Sequence, residues 1–162
     1  MDIISHGLWG GAAFGRKNRK TFWLAFAIGL APDLLSFGIF FVARLLGFYG
    51  QVHWGGRPDA DQVPAFVGHL YNVTHSLVVF AAVFLLLWLI FRRPIWVVGA
   101  WGLHVVVDIF SHSFNFFPTP FLWPLSDYKF NAISWGDPRI FIPNVLLLLI
   151  VYGWFFLAKR KK

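Results

Sequence analysis

His104, Asp108 and His112 recur at intervals of four inside a run that is otherwise apolar. On a helix this spacing puts all three on one face, turn above turn. His104 and Asp108 can then offer an imidazole nitrogen and a carboxylate oxygen to a single cation, a mixed donor set that zinc and similar divalent metals accept. The same spacing also suits a hydrogen-bonded His–Asp pair that only ties helices together. His6, Asp33 and His75 lie in or at the ends of other apolar stretches, and with no Glu in the chain every carboxylate side chain is an Asp. An ionisable side chain in a membrane segment is expensive to keep there, so each of these residues marks a candidate functional site.

The elements that position them read as membrane helices. Of 162 residues, 58% are hydrophobic and 13% charged, against about 45–50% and about 25% in soluble domains. Four stretches approach the roughly 20 residues needed to cross the hydrocarbon: about 21–48, interrupted by Pro32-Asp33, then about 75–91, 94–113 and 140–158. Residues 3–14 form a shorter, glycine-rich helix, read as a half-span or re-entrant segment. The expected fold is an all-α integral membrane protein with four transmembrane helices plus this short N-terminal helix, in one membrane domain over 1–162. The start at Met1-Asp2 lacks a basic segment and reads as no cleavable signal peptide. There is no cysteine, which excludes disulfides and thiolate metal sites.

Charge sets the expected orientation. The net charge of +7 collects at the ends of apolar runs, in Arg16 to Lys20, Arg92-Arg93 and Lys159 to Lys162. This is the pattern of membrane orientation rather than of nucleic-acid binding. With four spans the three clusters share one side, which the positive-inside rule makes cytoplasmic, C-terminus included. The longer connections, about 49–74 and 114–139, are nearly neutral and face outward. There Arg57, Lys129 and Arg139 are candidates for holding an anionic substrate group.

Depth relates the polar residues to one another. Counted from the nearest basic cluster at about 1.5 Å per residue, His6 lies roughly 15 Å deep, His104 roughly 17 Å, Asp33 roughly 20 Å, Asp108 roughly 23 Å and His75 roughly 26 Å. Residues from four segments thus fall in one layer between mid-membrane and the outer surface. Gly7, Gly10 and Gly11 read as close helix packing, and His53 as an ordinary surface residue.

The motifs resemble the YdjM-type family of bacterial inner-membrane proteins, described as membrane-bound metal-dependent hydrolases. The matching elements are Met1-Asp2-Ile3-Ile4-Ser5-His6, Leu30-Ala31-Pro32-Asp33, Val73-Thr74-His75-Ser76, Gly102-Leu103-His104 through Asp108, and Phe121-Leu122-Trp123-Pro124-Leu125-Ser126. They stand in the family's order. The family's His-Arg pair before Thr-His-Ser is replaced here by Gly68-His69-Leu70-Tyr71-Asn72, and Leu34 stands where a second Asp often follows Pro-Asp. The resemblance implies a metal site carried by His6, Asp33, His75, His104 and Asp108, in the inner membrane.

The expected function is a divalent-metal hydrolase, zinc-dependent, acting on a membrane lipid or phosphoester at the outer leaflet through a metal-activated water. His69 and His112 are the candidates for proton transfer or a second metal. The alternative is an intramembrane metal- or proton-binding or transport protein using the same layer. A transport path needs polar residues reaching the cytoplasmic face, where the second, third and fourth spans are almost wholly apolar. A structural zinc in a small regulatory membrane protein is a third reading.

Overall fold

The computed structural model describes residues 1–49 and 63–160. Among them every regular element is helical. Helix α1 (Ile3–Phe14) starts on Asp2, whose carboxylate accepts from the Ser5 amide at 2.9 Å, and ends at Gly15, whose amide donates back to the Gly11 carbonyl at 3.0 Å. At about 18 Å long it falls short of the roughly 30 Å hydrocarbon. It lies against α2 (Arg19–Asp33) with backbone nearly touching backbone. A Cβ on Gly29 would stand 2.6 Å from the His6 carbonyl oxygen, and one on Gly10 would stand 2.8 Å from that of Ala25. Small residues allow this approach, which is how helices associate without a hydrophobic drive between them.

Pro32-Asp33 does not interrupt the helix. The chain passes through a π turn, Leu34–Gly38, into α3 (Ile39–Leu45), giving one helical run of 27 residues from Arg19 to Leu45. Within this turn Ser36 donates to the Pro32 carbonyl at 2.8 Å. A π turn at this point delivers Asp33 to the interior, in keeping with the frequent placement of such turns at functional sites.

Helices α4 (Ala65–Thr74) and α5 (Leu77–Phe91) meet at a bend of 55°, with His75 and Ser76 at the corner. Ser76 caps α5 by accepting from the Val78 and Val79 amides at 3.1 and 3.2 Å, and its hydroxyl donates to the Trp123 carbonyl. The expected span 75–91 is therefore the second limb of a broken helix. Helix α6 (Gly99–Ile109) follows a 3₁₀ turn at Trp96–Val98 and is shorter than the expected 94–113. It ends at Ile109, and in the turn beyond it the Asp108 carbonyl takes both the Ser111 and the His112 amides, at 3.2 and 3.1 Å. A long connection leads to α7 (Pro138–Arg160) and crosses back over the end of α6, with Trp135 donating to the Ser111 carbonyl and Ala132 to that of His112. Asp137 caps α7 ahead of Pro138, as Asp and Pro do at helix starts.

Two of these helices are long and apolar enough to cross a membrane, Arg19–Leu45 and Pro138–Ala158, and the bent α4–α5 pair makes a third when taken as one span. The fourth expected span, α6 with its 3₁₀ turn, is too short to count by length. The distribution of side chains is inverted relative to a water-soluble domain. Leu85, Leu86, Leu89 and Ile90 of α5 are exposed, while Ser5, His6, Thr74, His75, Ser76, His104, Asp108 and Ser111 are buried. Apolar outside and polar inside is the arrangement that lipid demands.

Candidate metal centre

The buried polar core gathers around one point. Asp33 arrives from the end of α2, His75 from the α4–α5 corner, and His104 and Asp108 from successive turns of α6. One donor atom from each of these four lies within 4.8 Å of those of the others. His104 Nε2 is 3.1 Å from His75 Nε2, 3.2 Å from Asp108 Oδ2 and 3.8 Å from Asp33 Oδ1. His75 Nε2 is 3.3 Å from Asp33 Oδ1 and 3.6 Å from Asp108 Oδ2. Four donors held about 2.0–2.1 Å from a zinc at the corners of a tetrahedron would be about 3.3 Å apart. The observed separations bracket that edge.

The second contacts of the two imidazoles fix what they offer. His104 Nδ1 donates to the Gly29 carbonyl at 2.7 Å. His75 Nδ1 lies 3.0 Å from the Thr74 hydroxyl, which itself donates to the Leu70 carbonyl at 2.9 Å and so accepts from the ring. With both Nδ1–H groups committed, both Nε2 atoms carry lone pairs and face each other. Asp108 Oδ2 is buried without a hydrogen-bond partner and faces the same point. Converging lone pairs and carboxylate oxygens, sealed except at Asp33, are the chemistry of a cation site, and the outward hydrogen bonds are those that orient metal-ligating histidines. The residues fit a divalent ion that takes nitrogen and oxygen donors.

Asp108 uses its other oxygen differently. Oδ1 meets the Met1 amino group, His6 Nε2 at 2.9 Å, His112 Nε2 at 3.4 Å and Ser111 Oγ at 3.4 Å. The ring of His6 is stacked on that of His104, with centroids 3.6 Å apart. His6 therefore stands behind the four-residue group, bracing Asp108 and His104. His112 stands at its edge, its Nδ1 donating to the Phe117 carbonyl at 2.9 Å.

The remaining expected residues lie elsewhere. His69 is exposed on α4, whose buried face carries Val67, Tyr71 and Thr74. Two residues from both Val67 and Tyr71, it falls on the opposite side of the helix, and the structure does not bring it to the cluster. Lys129 is half-buried in the connection before α7 and takes no part in the contacts at the cluster. Arg139 is exposed at the start of α7, where its guanidinium grips Asp137 at 2.9 and 3.0 Å and holds that carboxyl down to about 2. Arg57 and His53 lie outside the described residues.

Several contributors carried no signal of their own in the sequence. Tyr71 stacks on His75 with centroids 3.9 Å apart and donates to the Phe117 carbonyl at 2.8 Å. Its position four residues before His75 is the one clue to it. The Gly29 carbonyl is backbone and leaves no trace in side-chain patterning.

The family model for the YdjM inner membrane protein matches residues 1–162, the whole chain. The chain belongs to the YdjM family. It is thus a membrane protein, in agreement with its apolar helices, and the cluster is the candidate metal centre of a YdjM-family member. No curated protein and no solved structure matches it.

Proposed function

We infer that this YdjM-family protein is a membrane-embedded, divalent-metal-dependent hydrolase acting on a lipid ester or phosphoester. The observation that carries the reading is the pair of imidazole Nε2 atoms and two carboxylates converging on one point, with both Nδ1 atoms already committed to outward hydrogen bonds. Zinc suits the donors. When bound, such an ion supplies a water acidic enough to ionise near neutral pH. Asp33 is the member of the group with the most accessible side chain, 16% exposed against 0% for the other three. It is the residue best placed to take a proton from an arriving water as general base. His104, His75 and Asp108 remain sealed and hold the site's shape. His112, 10% exposed at the edge, is the candidate to return a proton to a leaving group.

The same reading places the chain as a multi-pass protein of the inner membrane, with α6 and its 3₁₀ turn as a short fourth crossing. The basic clusters and the C-terminus are then cytoplasmic, and the cluster opens toward the outer leaflet. One observation favours a second reading. Four protein donors complete a tetrahedron, the arrangement of closed sites, which suits metal binding or transport without turnover.

Elemental analysis of the detergent-purified protein separates these, combined with release of product from lipid and phosphoester panels. Near-stoichiometric metal, lost in His104→Ala with Asp108→Ala, together with metal-dependent turnover, is the expected result. Metal without turnover on any panel supports the closed site. A metal-free wild type after reconstitution removes both readings.

A further inference from the structure

A second feature adjoins the cluster on the side of α7. A cleft of about 390 Å³ opens between α1, α6 and α7. Its walls are Trp9 of α1, Leu103 and Val107 of α6, and Pro143 and Leu147 of α7. Leu103 and Val107 directly precede His104 and Asp108 in the chain, so one helix carries both the cleft wall and two members of the metal group. Met1 also lines the cleft while its amino group contacts Asp108.

The polarity of the cleft runs in one direction. Arg139, with a side chain 73% exposed, lines it in the first turn of α7. Leu147 lies eight residues further along that helix, about 12 Å away at the helical rise. Between them the wall is apolar apart from Asn144, whose amide is spent on two contacts, accepting from Trp9 Nε1 and donating to Ser5 Oγ, both at 2.8 Å. An apolar trough with an ion pair at one end, Arg139 with Asp137, lying along a membrane helix, fits an amphiphile whose zwitterionic head is level with that pair and whose tail follows Leu147.

We propose that this cleft holds one acyl chain of a membrane phospholipid and thereby sets the lipid beside the metal cluster. The proposal rests on the hydrolase reading for its purpose but not for its test, because occupancy is measured without turnover. Full-length protein is reconstituted in vesicles of phosphatidylethanolamine and phosphatidylglycerol that contain phosphatidylethanolamine with a diazirine in its chain. After photolysis, labelled residues are mapped by mass spectrometry. The expected result is labelling of Leu103, Val107 and Leu147 several-fold above that of Leu85, Leu86 and Leu89, which are exposed on α5. Leu147→Trp, which fills the cleft, is expected to bring labelling of Leu103 and Val107 down to the α5 level with metal content unchanged. Leu89→Trp is expected to leave it as in wild type.

Labelling of the cleft equal to that of α5, or undiminished by Leu147→Trp, overturns the proposal. Concentrated labelling in a protein that turns over no lipid sustains the cleft and removes the hydrolase reading. Turnover with uniform labelling removes the cleft alone.

Discussion

His6 lies flat against His104, ring centroids 3.6 Å apart and planes within 23°, while its Nε2 reaches across to Asp108. One residue of α1 thus braces two members of the metal group at once. Outer partners of metal ligands typically govern affinity by about 10–100-fold. His6→Ala, which removes both the stack and the hydrogen bond, is expected to weaken metal binding by about that factor. His6→Phe, which keeps the stack, is expected to recover part of the loss. Competition with a chromophoric chelator measures both, and equal losses in the two variants would show that the stack contributes nothing.

Metal affinity is expected to fall as pH falls. His75 and His104 each have one ring nitrogen committed outward, so a proton added to either imidazole occupies the only nitrogen left for an ion. Chelator titrations across a pH series read the slope directly. An affinity that is flat with pH would mean that the imidazoles are not ligands.

The α1–α2 crossing leaves no room for a side chain at Gly29, where a Cβ would meet the His6 carbonyl at 2.6 Å. Gly29→Ala is expected to cost about 1–3 kcal/mol, the usual penalty for overfilling a close contact. It should also loosen His104, whose Nδ1 donates to the Gly29 carbonyl. Gly68→Ala, at an open position, is the control. Thermal unfolding in detergent, followed alongside metal content, distinguishes a local clash from loss of the site.

Much of this centre was legible from residue types alone. An ionisable side chain in a membrane segment has few innocent explanations, so Asp33, His75, His104 and Asp108 stood out. The four-residue interval between His104 and Asp108 predicts their shared face, and the structure has it. What the pattern could not supply was backbone behaviour. Pro32-Asp33 reads as a break, but the helix runs on through a π turn, in which Ser36 donates to the Pro32 carbonyl. The 94–113 stretch is apolar enough to suggest a span, but hydropathy does not register that the Ser111 and His112 carbonyls are taken by the Trp135 and Ala132 amides of the later connection. His69 stands where the family's His-Arg pair precedes Thr-His-Ser, whereas helical phase turns it outward.

Asn144 is the buried polar residue that fastens α7 to α1, through Trp9 and Ser5. Asn144→Leu takes the acceptor from the half-buried Trp9 indole N–H and leaves the Ser5 hydroxyl, which still donates to Asp2, one donor poorer, and a polar group left unmet costs about 1–3 kcal/mol. The expected outcome is a lower unfolding temperature and a shift in Trp9 emission. With α7 still tied by Tyr152 donating to the Leu8 carbonyl at 2.8 Å, metal content should be largely retained. Loss of metal on this substitution would place α7 within the machinery of the site.

The corner that presents His75 is clamped from far along the chain. Ser76 donates to the Trp123 carbonyl, and the Leu77 amide donates to that of Phe121 at 2.9 Å. All four donor residues have been synthesised by Asp108, yet the clasp that fixes one of them is made only from residues translated later. A nascent chain halted after α6 owns the full donor set without the means to hold it in register. The cluster is therefore held in register only once the chain through Trp123 is in place.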